Sequence, residues 1–208
     1  MTPMNSARLF PIFLKLAGRP CLVVGAGTVG ESKIASLVEA DAQVRVVAPE
    51  ATPEVRLWAE SKRVEWQQRG FQPEDLDGKF LVVAATSSAK LHEHIFQEAT
   101  RRGVLCNIVD VPELCDFYYP AVVQRGALQI AVSTSGQSPA LAQRLRMELE
   151  EEFGPEYELW LEYLGEARDR LQSQELDPEE RKRLLHALAS KEAFEAFRRE
   201  HKRTTSSG

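Results

Sequence analysis

Gly25, Gly27 and Gly30 stand in the order Gly-x-Gly-x-x-Gly, directly after the apolar run "CLVV" and before the helical pattern "VGESKIASLVEA". That order does its chemistry through the backbone. The first glycine permits a tight turn, the second lets main chain approach a pyrophosphate, and the third allows a helix to pack closely on a strand. The helix that follows aims its unpaired N–H groups at the anion. A second strand should then end in an acid for the adenosine ribose. Here it ends "VVAPE": Val47 and Ala48 take the usual place, and Glu50 lies beyond Pro49, 20 residues after Gly30. Glu50 reads as a ribose ligand displaced by the proline, or as an exposed loop acid. No arginine follows Ala48 directly, which favours NAD over NADP. Ala85 and Thr86 close the run "VVAAT" with small residues, leaving room for a dinucleotide where the strand order reverses.

Asp110 is the candidate acid–base group. It follows the strand-like "VLCNIV" at the edge where open α/β sheets bind ligands, and a carboxylate there can act as a general base. A loop acid capping backbone N–H groups near Pro112 is the alternative. Ser133, Thr134, Ser135 and Gly136 form a polar loop before a helix opened by Ser138 and Pro139. Hydroxyls, backbone N–H groups and a helix start suit an anion, with Arg144 and Arg146 on that helix and Arg125 in the preceding turn. Simple N-capping would account for Ser138 and Pro139 as well.

Other chemistries fit less well. His92 and His94 are two apart, which on a helix turns them about 200° from each other, so they cannot share a metal. Cys106 and Cys115 lack the short paired spacing of zinc sites and read as packing or bystander residues. No Gly-x-Ser-x-Gly elbow is present, which argues against a serine hydrolase. No second flavin-binding signature accompanies the glycine motif. No resident metal is expected.

The elements that must hold these residues follow from periodicity. Strands are predicted over 21–27, 42–50 (stopped by Pro49), 63–69, 79–86 and 104–109. Helices are predicted over 29–40, over 52–62 with Thr52 as N-cap, and over 88–103 with Gly103 as C-cap. The alternation implies an α/β fold, a Rossmann-like doubly wound parallel sheet. Residues 118–134 read as two strands around the turn Gln124-Arg125-Gly126, and 138–154 as a helix. The chain from 155 to about 202 is helical and charged, and "RTTSSG" is a frayed end. The expected parts are 1–112, an NAD-binding Rossmann domain; 113–153, a strand-containing dimerisation region; and 154–208, a helical C-terminal domain. The middle part has apolar strands with little core of its own, which favours pairing with another subunit.

A net charge of −5 argues against a nucleic-acid partner. No apolar run approaches the ~20 residues of a membrane span, and no signal-peptide pattern opens the chain. With three sparse cysteines, that points to the cytoplasm.

The segments "FPIFLKLAGRPCLVVGAGTVGESK", "VVAPE", "FLVVAAT", "CNIVDVPE", "FYYPAVV" and "IAVSTSGQSPALAQRLR" together resemble the precorrin-2 dehydrogenase / sirohydrochlorin ferrochelatase family, the N-terminal module of siroheme synthase. The resemblance covers roughly residues 9 to 155. No methyltransferase domain follows, so the likeness is to the stand-alone form. It implies oxidation of precorrin-2 to sirohydrochlorin with NAD as cofactor, and in bifunctional members insertion of transient Fe2+ by ferrochelatase (lyase) activity. It further implies a homodimer and a tetrapyrrole substrate. The family's catalytic aspartate falls on Asp110, and its cofactor loops fall on Thr28 and Val29 and on Pro49 and Glu50. A serine phosphorylated in some members falls on Thr134. The substrate's carboxylates would meet the polar loop and nearby arginines. Two alternatives stay open: a dinucleotide-sensing domain without catalysis, and another small-molecule NAD(P) oxidoreductase.

Overall fold

Strand β1 (Pro20–Ala26) buries Cys21, Leu22, Val23 and Val24, each at most 2% exposed. A parallel strand covered on both faces has no solvent side, so its apolar run is continuous rather than alternating. Cys21 and Val23 pack with Ile34 and Leu37 of α1 (Thr28–Glu39) and Val55 of α2 (Pro53–Glu60). Leu22 and Val24 pack on the other face with Ile95 and Ala99 of α3 (Ala89–Arg102). Strands β2 (Gln43–Ala51), β3 (Glu65–Gln67), β4 (Leu81–Ala84) and β5 (Leu105–Ile108) complete a parallel sheet in the order β3-β2-β1-β4-β5. This is the Rossmann-like doubly wound sheet that the pattern predicts. In this computed structural model residues 8–205 are described.

Local signals set the helix ends as expected. The Thr52 hydroxyl accepts from Val55 N at 3.3 Å with Pro53 beside it, and Gly103 ends α3 at φ 67°. The expected stop at Pro49 is corrected: β2 continues to Ala51. Its ladder with β1 runs to Val24 opposite Val47, slips, and resumes at Ala26 opposite Ala51. Pro49 has no N–H to donate and sits inside the slip, where no ladder bond is required.

The chain divides between Tyr119 and Pro120 into two compact units, whereas the sequence suggested breaks after 112 and 153. Residues 113–119 stay with the first unit because they are tied back to β5. Asp116 exchanges bonds with the Cys106 backbone, and Asn107 donates to Phe117 O at 2.7 Å.

The second unit begins with an antiparallel hairpin, β6 (Ala121–Arg125) and β7 (Leu128–Val132). Gln124 and Arg125, expected in the turn, pair instead with Gln129 and Leu128, so the turn is Gly126 and Ala127 with Gly126 at φ 54°. Helix α4 (Pro139–Glu152) follows, with the Ser138 hydroxyl accepting from Leu141 N at 3.2 Å. Helices α5 (Glu156–Gln172), α6 (Pro178–Leu188) and α7 (Lys191–Thr205) complete the unit. Aromatic rings join α5 to α7: Phe194 lies 4.3 Å from Tyr157 and 5.5 Å from Trp160 between centroids. There is no structural break at 153, because Arg125 of β6 holds the end of α4. Its guanidinium donates to Phe153 O at 2.9 Å and Glu150 O at 3.1 Å. Residues 203–205, expected to fray, belong to α7, while 206–208 lie outside the described residues. Among the described residues no helix is long and apolar enough to cross a membrane.

Candidate nucleotide site and its carboxylate

Strands β1 and β4 are neighbours whose onward connections leave in opposite directions, and this opens a crevice at their carboxyl ends. The glycine turn lies there, and each glycine has its own reason. Gly25 is held at φ 98°, and a Cβ on it would overlap the Ala85 carbonyl. A Cβ on Gly30 would overlap the Gly25 carbonyl, so α1 seats on β1 only because neither residue has a side chain. A Cβ on Gly27 would meet nothing within 4 Å. The space over Gly27 is open, as a ligand approaching the backbone requires.

Helix α1 starts at Gly27 with no side-chain cap, whereas α2, α3, α4 and α6 are capped by Thr52, Ser88, Ser138 and Asp177. Its first amides therefore keep their donors for another partner. A cavity of about 680 Å³ faces them. Gly25, Gly27, Thr28, Val29 and Gly30 line it with Ala48, Pro49 and Glu50 of β2 and with Ala85 and Thr86 beyond β4. The slip at Pro49 thus brings the β2 edge into the cavity. Ala26, Ser87 and Val109 line it too and were not singled out from sequence. The Thr86 hydroxyl is buried with no hydrogen-bond partner. Open space over Gly27, free helix-end donors and this orphaned hydroxyl fit a dinucleotide.

His92 is one residue that sequence reading missed. Expected on a solvated helix face, it is 7% exposed, and its Nε2 donates to Thr86 O at 2.8 Å. The first turn of α3 thereby holds the β4 edge in place. The only signal available was its place on the inward face of α3, three residues before Ile95.

Asp110 lines the same cavity. It is exposed, and its backbone is left-handed at φ 63°. Val111 N donates to Ile108 O at 3.1 Å, so Asp110 is the third residue of a four-residue turn. The alternative of a capping acid finds no support: its carboxylate accepts no hydrogen bond among the described residues. Lys33 of α1 faces it electrostatically, a second residue that sequence missed. Burial lowers the Lys33 pKa and the Asp110 charge partly offsets this. The Lys33 ammonium also lies 3.9 Å from the centroid of the Tyr119 ring, and burial pushes that phenol up to about 12. Cys115, read as a bystander, hydrogen-bonds within the loop around Asp110.

The polar loop belongs to the second unit. The Thr134 hydroxyl donates to Ser138 O at 3.1 Å and accepts from Ser138 N at 3.2 Å. The Ser133 hydroxyl accepts from Ser135 N at 3.1 Å, and Ser135 and Gly136 both have positive φ. These hydroxyls are engaged in shaping the loop ahead of α4. Arg144 is exposed and pairs with Glu148 at 3.2 Å, and Arg146 pairs with Glu150 at 2.5 Å. Arg125, expected near substrate carboxylates, is occupied by the end of α4. Among the described residues no group of three or more His, Cys, Asp or Glu is arranged to hold a metal ion.

Residues 12–121 match a family described as putative NAD(P)-binding, and residues 125–152 match one described as sirohaem biosynthesis protein central. A siroheme synthase of Nitrosococcus oceani is 43% identical over 140 residues, which is 67% of this chain and 30% of that protein. A siroheme synthase of Mannheimia succiniciproducens is 36% identical over 179 residues, 86% of this chain and 38% of that protein. The chain thus spans well under half the length of these curated relatives. Among solved structures, SirC, a precorrin-2 dehydrogenase, superposes with TM-score 0.82 at 24% identity, covering 96% of this chain and 100% of the other. At that identity the likeness establishes the fold.

Proposed function

The chain belongs to the putative NAD(P)-binding family and matches the N-terminal module of siroheme synthase, and from this we propose that it is an NAD-dependent precorrin-2 dehydrogenase producing sirohydrochlorin. One observation carries the reading: the uncapped glycine turn and the free Asp110 carboxylate line a single cavity. Residues 25–30 would hold the pyrophosphate, Glu50 the adenosine ribose, and Ala85 and Thr86 the inner edge of the dinucleotide. NAD bound there supplies the hydride acceptor.

Oxidation of precorrin-2 removes a hydride and a proton, and Asp110 is the base for the proton. Lys33 is the cation that faces this carboxylate. Glu50 supports NAD over NADP, since a carboxylate at the ribose repels a 2′-phosphate. Arg56, the cation just beyond, is turned back on its own unit: its Nε donates to Ala51 O at 3.0 Å and its guanidinium lies over Trp66. Ser135, Gly136 and exposed Arg144 are the proposed contacts for tetrapyrrole carboxylates, with Ser133 and Thr134 shaping the loop.

Asp110→Ala tests the reading. Purified variant with NAD+ and precorrin-2 should show little absorbance change while binding NAD+ as the wild type does. Full turnover in that variant would remove Asp110 from the mechanism. An inactive wild type that still binds NAD+ would favour a dinucleotide-sensing role.

Two further elements belong to this reading. The same carboxylate would take pyrrole protons during insertion of Fe2+, which enters as a substrate; sirohydrochlorin mixed with Fe2+ or Co2+ tests chelation. A homodimer is proposed from the hairpin. Among the described residues β6 and β7 pair only with each other, and Val123 is their one fully buried side chain. An isolated two-stranded hairpin is marginal, so pairing across subunits would complete it. Sedimentation at the monomer mass would exclude that. The three free thiols suit the cytoplasm, which cell fractionation checks.

A further inference from the structure

Asp110 occupies a backbone position that an L-residue avoids. In the turn from Ile108 to Val111 only the third residue has positive φ, the pattern that favours glycine there. Such a conformation persists in a non-glycine residue only when its surroundings over-determine it. The surroundings here are specific. The Cys115 thiol lies 3.2 Å from Ile108 O and 3.3 Å from Val111 O, the carbonyls of the first and last residues of that turn. The same sulfur accepts from Asn107 Nδ2 at 3.5 Å, and that amide also donates to Phe117 O at 2.7 Å. Behind it, Asp116 exchanges 2.8 Å bonds with both backbone groups of Cys106. Asn107 is 6% exposed, so its amide has no water to turn to.

We propose that Cys115, oriented by Asn107, is the positioning residue for Asp110: its single S–H, shared between the carbonyls of Ile108 and Val111, staples the two ends of the turn that presents the carboxylate. The inference rests on the dehydrogenase reading for its consequence in catalysis, but the staple itself does not. Burial raises the Cys115 pKa, so the sulfur keeps the proton it must donate at neutral pH. Alanine cannot donate at all, and serine keeps the donor.

Three proteins decide the matter: wild type, Cys115→Ala and Cys115→Ser. Hydrogen exchange at the Val111 amide reports the turn directly, and kcat with the NAD+ dissociation constant reports the site. Cys115→Ala should speed Val111 exchange and lower kcat, each by about tenfold, the worth of one hydrogen bond, with NAD+ affinity unchanged. Cys115→Ser should recover most of both. Wild-type exchange and kcat in Cys115→Ala would overturn the proposal. So would a loss of NAD+ affinity matching the loss of kcat, which marks general loosening of the unit. If the wild type itself fails to oxidise precorrin-2, the functional reading fails alone. Val111 exchange and its recovery by serine still decide whether the thiol holds the turn.

Discussion

His92 Nε2 donates to the Thr86 carbonyl across 2.8 Å, joining the first turn of α3 to the end of β4 at the floor of the cavity. The bond is shielded, with His92 only 7% exposed, so the carbonyl has no ready substitute partner. Replacing His92 with phenylalanine keeps a planar ring, slightly larger, and removes the donor. The cost expected is about 1–3 kcal/mol of folding stability, together with weaker NAD+ binding. Denaturant melts and NAD+ titration read the two effects. A variant indistinguishable from wild type in both would show that the bond holds nothing.

The glycines separate folding from binding. Gly25→Ala and Gly30→Ala each drive a methyl into backbone, at Ala85 and Gly25 respectively, so both should melt well below the wild type. Gly27→Ala puts its methyl into open space and should melt normally. Its loss should appear only in NAD+ affinity, by about tenfold or more, as the methyl holds the pyrophosphate off the amides. Normal NAD+ affinity in Gly27→Ala would contradict this placement of the phosphate.

Lys33 offers a pH-dependent test. Burial lowers its pKa in the folded protein, more than the Asp110 charge raises it. Between that lowered value and the ordinary lysine value of about 10.4, the unfolded chain binds the extra proton. The group's contribution to stability therefore rises with pH through that window and levels off above it. Wild type should gain on Lys33→Met as pH is raised from neutral towards 10.4, as thermal melts across that range would show. A stability gap constant with pH would mean that Lys33 is solvated.

The arginines of the second unit should differ sharply. Arg125→Ala strips donors from two carbonyls at the end of α4 and should cost about 1–3 kcal/mol. Arg144→Ala loses an exposed pair with Glu148, worth roughly 0–1 kcal/mol, and should act mainly on the KM for the tetrapyrrole. Equal destabilisation by the two would refute the cap assigned to Arg125.

Much of this protein is written in local pattern. The buried run at β1, the Gly-x-Gly-x-x-Gly turn and the caps at Thr52, Gly103 and Ser138 each act within a few residues. Apolar period and turn chemistry therefore sufficed to read the sheet and its helices, and the ten nucleotide-site candidates, drawn from the motif and from the family resemblance, line one cavity with Asp110. The residues that escaped are those whose partners lie on other elements. His92 looked solvated because helical spacing does not show which carbonyl sits opposite. Lys33 lay in the helix after the glycine turn with no local sign that it faces Asp110. Cys115 is nine residues from Cys106 in the chain and meets no local template, yet its one S–H is shared between both ends of the Asp110 turn. Pro49 read as a strand stop until the β1–β2 ladder slipped around it. Sequence alone determined which segments are strands and helices and which edge of the sheet can bind a ligand, because propensity and periodicity are local. Only the tertiary structure decided which side chains orient that edge, because a hydrogen bond across elements depends on where the elements come to rest.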